Sequence, residues 1–96
     1  MVRSFTVKGK VWVYPGLGGW HFVYVSKKNS ELVRKMGKRY GAGFVKVEAT
    51  IGKTSWTTAL FPDKKEGVYL LSIKQVVRKK EGIYDGDTIA IKCVLK

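Results

Sequence analysis

From Phe5 to Tyr14 apolar and polar side chains alternate: Phe5, Val7, Val11 and Val13 fall on one face, and Thr6, Lys8, Lys10, Trp12 and Tyr14 on the other. A period of two marks a half-buried strand, because successive side chains of extended backbone point to opposite faces. Pro15-Gly16-Leu17-Gly18-Gly19 breaks the pattern, since proline lacks a ladder donor and glycine admits turn geometry. Trp20–Val25 is predicted as a second strand. The period then lengthens. With Asn29 or Ser30 as N-cap, Glu31 in the first turn and Leu32, Val33, Met36 and Tyr40 at helical spacing, the chain reads as a helix of about three turns that stops at Gly41.

Alternation resumes over Phe44–Ile51, with Val45, Val47, Ala49 and Ile51 on one side and Lys46, Glu48 and Thr50 on the other. Gly52-Lys53 turns this strand into Thr54–Phe61, rich in β-branched and aromatic residues, which predicts a hairpin. The polar loop Pro62–Gly67 leads to a short strand, Val68–Leu71. Ser72 is expected to cap a helical turn with Ile73, Val76 and Val77 on one face and Lys74, Arg78 and Lys79 on the other, ended by Gly82. Tyr84-Asp85-Gly86-Asp87 is a tight turn, and Thr88–Leu95 is the last strand, burying Ile89, Ile91, Cys93 and Leu95. The order is β, β, α, β, β, β, short α, β. Short strands with frequent turn punctuation predict a mainly β single domain over 1–96, folded as a small closed barrel, which leaves no exposed sheet edge.

The chain also echoes itself. Val23-Tyr24-Val25-Ser26-Lys27-Lys28 and Leu70-Leu71-Ser72-Ile73-Lys74 each run a strand through a serine into a basic helix, which implies two similar halves about a pseudo-twofold axis. The second copy continues through Gln75-Val76-Val77-Arg78-Lys79-Lys80-Glu81-Gly82-Ile83 to Gly86-Asp87-Thr88-Ile89, and resembles a unit of the AbrB and MazE regulators and antitoxins. Over almost the whole chain, Trp20 with Phe22-Val23-Tyr24-Val25, Thr50-Ile51-Gly52 and Trp56-Thr57-Thr58-Ala59-Leu60-Phe61-Pro62 resemble the family catalogued as domain of unknown function 1905. That resemblance implies a double-split β-barrel completed within one chain, and no established activity. Ser26 and Ser72 stand where that family usually has proline, and Ala59 where serine is common.

Charge changes the picture more than composition does. Nineteen Lys and Arg against seven Asp and Glu give a net charge of +12, which disfavours compaction by self-repulsion and favours a polyanionic partner. Nucleic acid is the commonest such partner; an acidic protein and a small ligand in a barrel mouth lined by Trp20, Trp56 and Tyr69 are the alternatives. Monomer and homodimer both remain open. No stretch is apolar enough to span a bilayer, and Met1-Val2-Arg3-Ser4 runs straight into strand pattern without a signal segment, which predicts a cytoplasmic protein. Cys93 is the single cysteine, so an intrachain disulfide is impossible, and its place in an apolar strand predicts a buried, inert thiol.

No motif carries conventional catalysis, and neither a metal nor a cofactor is expected. His21, the single histidine, has no second ligand at zinc spacing, and no nucleophile elbow accompanies it. Gly52-Lys53-Thr54 mimics the end of a phosphate-binding loop, but Val47 occupies the required upstream glycine position and a strand follows instead of a helix. Asp85 and Asp87 read as turn carboxylates. What remains is two basic clusters: Lys27, Lys28, Arg34, Lys35, Lys38 and Arg39, and then Lys74, Arg78, Lys79 and Lys80. They are the candidate contacts to a phosphate backbone, with Arg78 foremost because its fork grips phosphate bidentately. Trp12 and Tyr14, on the polar face of the first strand, are the candidate stacking platforms, while Trp20 and Trp56 are expected in the core.

Overall fold

Alternating segments become strands and the one long helical period becomes a helix, but the elements join differently from the expectation. The computed structural model describes residues 3–15, 19–41 and 43–96; Gly16, Leu17 and Gly18 of the predicted turn lie outside them. In chain order the elements are β1 (Ser4–Lys10), β2 (Trp12–Val13), β3 (His21–Tyr24), α1 (Lys27–Met36), β4 (Arg39–Tyr40), β5 (Phe44–Ile51), β6 (Thr54–Asp63), β7 (Val68–Ser72), α2 (Gln75–Glu81) and β8 (Thr88–Leu95). Neither helix is long and apolar enough to cross a membrane.

Every strand pair is antiparallel, and the sheet runs β1-β8-β5-β6-β7-β3-β2 with β4 hung on β5. The predicted first strand is a single run that changes partner at Val11. Up to Lys10 it pairs with β8; Val11 then donates to the Asp87 carbonyl and accepts from the Gly86 N–H, each at 2.8 Å, and Trp12 and Val13 cross to β3. This swap curls the sheet until β1 lies over β3, so tightly that a Cβ on Gly9 would come within 3.1 Å of Val23 Cγ1. The result is a curled sheet whose strand ladders form an open path among the described residues. The strand pattern predicts a closed barrel; the structure shows a curled, mainly β sheet carrying two helices.

Val7, Val11, Val23, Val25, Val45, Val47, Leu60, Leu71, Ile91 and Cys93 are all essentially inaccessible on the concave face, joined by Val33 of α1 and Val77 of α2. A slip of β5 by one residue would carry Val45 and Val47 to solvent at about 1.5–3 kcal/mol each, so the hydrophobic alternation specifies the register.

Both helices differ in extent from the sequence pattern. The first begins at Lys27 because the Ser26 hydroxyl accepts the Asn29 N–H at 3.2 Å, the local bond that an N-cap serine offers. It ends at Gly37, not Gly41, since Arg39 and Tyr40 leave it to pair with Val45 and Phe44. The second begins at Gln75 behind Lys74, which makes no side-chain capping bond; Ser72 remains in β7, and its hydroxyl meets that of Thr58. Val76, expected on the buried face, is 63% exposed.

The internal echo is present with a shifted register. Val23 lies opposite Leu71 and Val47 opposite Leu95, in each case residues 48 apart. The flanking bonds obey the same offset: Val25 N–H donates to Tyr69 O, and Ile73 N–H donates to His21 O. Lys27 and Gln75, which open the two helices, are also 48 apart. One local dyad therefore relates the halves and equates Ser26 with Lys74, so the serine-to-serine match seen in the sequence is two residues out. The helix N-termini follow antiparallel strands, and α1 and α2 therefore leave opposite ends of the β3–β7 ribbon.

Candidate functional site

The ladder between β6 and β7 stops at Leu60 opposite Leu71, although β6 extends back to Thr54 and β7 forward to Ser72. Where the strands part, the Thr58 and Ser72 hydroxyls, both buried, bridge the gap at 3.1 Å. Over them lies a cavity of about 370 Å³ walled by Trp20, Thr57, Ala59 and Phe61 and flanked by Lys46 and Lys74. Trp20, Ser72 and Lys74 also border a second depression of about 240 Å³, which shares His21, Gln75 and Arg78 with a third of about 500 Å³. The third ends at Ile83, Tyr84 and Asp85. Shared walls make the three one groove along the α2 end of the molecule, with Lys46, Lys74, Arg78 and Lys79 on its sides and Asp85 as the one carboxylate among its lining residues.

Arg78 is held rigidly there. Its Nε donates to Ile73 O at 3.2 Å, and Nη1 lies 3.2 Å from His21 Nε2, while His21 Nδ1 lies 2.6 Å from Gly19 O. Guanidinium is a donor only, so Nε2 accepts and Nδ1–H donates to the carbonyl, which is the arrangement of a neutral imidazole. Nε and Nη1 each spend one N–H on these bonds, and among the described residues the remaining guanidinium donors have no hydrogen-bond partner. The pseudo-equivalent position, 48 residues earlier, is Ser30, buried, with its hydroxyl accepting the Tyr69 N–H at 3.1 Å. The α1 end is closed at this point by a small side chain, whereas the α2 end carries an anchored arginine beside a cleft.

The structure divides the predicted contact residues. Lys74, Arg78 and Lys79 line the groove, and Lys80 is exposed on α2 without lining it. Lys27 and Lys28 open α1 at the other end of the ribbon, Arg34 and Lys35 close it, Lys38 follows, and Arg39 lies in β4 opposite Val45, next to the groove residue Lys46; all six are exposed. Arg34 is partly committed: it donates to Gly67 O and lies 6.0 Å from the Tyr69 ring, while Arg39 donates to Arg34 O at 3.2 Å. Lys38 and Lys46 sit 5.6 and 4.9 Å from the Tyr40 ring.

The aromatic residues also differ from expectation. Trp12 stacks on Tyr24 at 5.1 Å and packs against Tyr14 and Phe22, so its ring is covered by neighbours. Burial, then Asp63 and Glu66, push the Tyr24 hydroxyl above its usual pKa. Trp20, expected in the core, is 50% exposed; Trp56, expected there too, is buried at 9%, and Tyr69, which the alternative reading placed at a barrel mouth, is buried at 4%. Cys93 is wholly buried, and desolvation pushes its thiol up to about 12. Asp87 accepts the Tyr84 N–H at 2.8 Å across its turn. Lys46, Thr58, Ser72 and the His21–Arg78 pairing escaped the sequence reading. No local spacing signals them, because they converge from β5, β6, β7, β3 and α2.

A family described as Domain of unknown function (DUF1905) matches residues 8–92. No curated protein matches the chain significantly.

Proposed function

Since the chain belongs to the DUF1905 family, we propose from its geometry that it is a non-enzymatic module that binds the phosphate backbone of nucleic acid, single strands above all. The observation that carries this reading is the continuous α2-end groove with Lys46, Lys74, Arg78 and Lys79 along it. A cationic channel that tracks the backbone is what a sequence-tolerant strand binder requires. Lys27, Lys28, Arg34, Lys35, Lys38 and Arg39, exposed outside the groove lining, add long-range attraction that raises the encounter rate. In the same reading the curled sheet is a double-split barrel completed within one chain, related to those of AbrB and MazE. The 48-residue dyad and the partner exchange at Val11 support that architecture.

The test is fluorescence anisotropy with labelled oligothymidylate and with a duplex over a salt series. Four neutralised phosphates on a single strand give a log–log slope near about −2.8, so affinity falls by about fifty-fold between roughly 50 and 200 mM salt. Lys74→Glu lowers both the affinity and the slope. Absence of binding at the lowest salt refutes the proposal.

A second reading, an acidic protein partner, draws on the exposed aromatic rings of Tyr14 and Tyr24 together with the net charge of +12. Capture of one acidic protein, lost on Tyr14→Ala and retained after nuclease treatment, would favour it.

A further inference from the structure

Resting on the groove reading above, we infer that the cavity lined by Trp20 and Phe61 is a nucleobase pocket, so that the module grips one base of the strand as well as its phosphates. Trp20 lies over Phe22 at 5.9 Å with only 16° between the ring planes, and its edge contact to Phe61 at 85° fixes the tilt. Trp20 packs against these two rings and, half-exposed, lines the cavity, so indole surface is available to a ligand there. A second ring stacked there needs no rearrangement of the indole.

The floor has the polar chemistry that a base edge needs. The Thr58 and Ser72 hydroxyls share one hydrogen bond at 3.1 Å. Each hydroxyl carries one donor and two acceptor sites, so the pair spends one donor on itself and keeps one donor and several lone pairs. An adjacent donor and acceptor match the neighbouring donor and acceptor on the edge of any nucleobase, and rotation of the hydroxyls lets them exchange roles. At the rim, Lys46 and Lys74 are placed for the phosphates on either side of the inserted base. Phosphate or carboxylate alone would leave Trp20, Phe61 and Ala59 unused. A purely aliphatic ligand would leave the hydroxyl pair facing a group that cannot bond to it.

The experiment compares oligothymidylate with a sugar-phosphate chain of the same length that lacks bases, at one salt concentration. Base stacking predicts about tenfold or greater preference for the oligothymidylate. Trp20→Ala removes that preference while the salt slope stays unchanged, and Thr58→Val combined with Ser72→Ala reduces it, with circular dichroism confirming that each variant is folded. Equal affinity of the native protein for the two chains overturns the base pocket and leaves the phosphate groove standing. A preference that survives in folded Trp20→Ala also overturns it. Failure of both chains to bind removes the groove reading and the pocket with it.

Discussion

Gly37→Ala isolates the tightest approach between helix and sheet. Gly37 closes α1 with φ of −80°, a conformation alanine adopts freely, so the substitution carries no backbone penalty. It even stiffens the unfolded chain, worth about 0.4–1 kcal/mol in favour of folding where the native site can accept the methyl group. This site cannot. An ideal Cβ would stand 2.6 Å from Val33 O and 2.6 Å from Val45 Cγ1. Neither neighbour can retreat: Val33 O accepts the Gly37 N–H at 2.8 Å, and Val45, wholly buried, belongs to β5 between β4 and β6. Overpacking of this kind costs about 1–3 kcal/mol. The net loss is about 1–2 kcal/mol, which lowers the Tm by roughly 5–15 °C in a domain of this size. Urea and thermal melts followed by circular dichroism measure it. Combining Gly37→Ala with Val45→Ala relieves one of the two contacts, so the double variant should be less destabilised than the sum of the single ones. A Gly37→Ala protein as stable as the native one would refute the reasoning.

Thr54 donates its hydroxyl to Glu81 Oε2 at 2.6 Å, tying α2 to the β5–β6 turn. Glu81→Ala and Thr54→Val should each cost about 1–2 kcal/mol in urea melts, and their effects should not add. Gly82, at φ of 65° with nothing near its absent Cβ, should lose about 1 kcal/mol on Gly82→Ala and less on Gly82→Asn, since only the left-handed backbone resists. Cys93 should resist a thiol reagent at pH 8 in the folded protein and react once urea unfolds it. Its folded pKa, raised from 9.0 to about 12, leaves stability unaffected below the unfolded value. As the pH rises between those two values the unfolded thiol ionises first, and stability falls by up to about 1.4 kcal/mol per pH unit. A Cys93→Ala protein should lack this part of the alkaline loss, which is read as the difference between the two pH–stability curves.

The sequence by itself determined which residues of the long strands face the core. Alternation over Phe5–Val13, Phe44–Ile51 and Thr88–Leu95 identified side chains that the structure buries, because a period of two is a local property of extended backbone. It also showed the two basic clusters and the existence of a repeat. Helix ends were less legible: the pattern placed the stop at Gly41, whereas pairing of β4 with β5 ends α1 at Gly37, and pairing is not local. The repeat took its true register only from the dyad at Val23 opposite Leu71. Tertiary structure alone decided the candidate site. Trp20 and Trp56 read alike as core tryptophans, yet the first stands half exposed beside a cavity and the second is buried in the core. His21 and Arg78, 57 residues apart, meet because β3 and β7 run antiparallel and place the start of one strand beside the helix that follows the other. Local patterning specifies how each segment meets a solvent boundary, whereas a groove is made by segments that share no sequence neighbourhood, and only long-range pairing brings their side chains together.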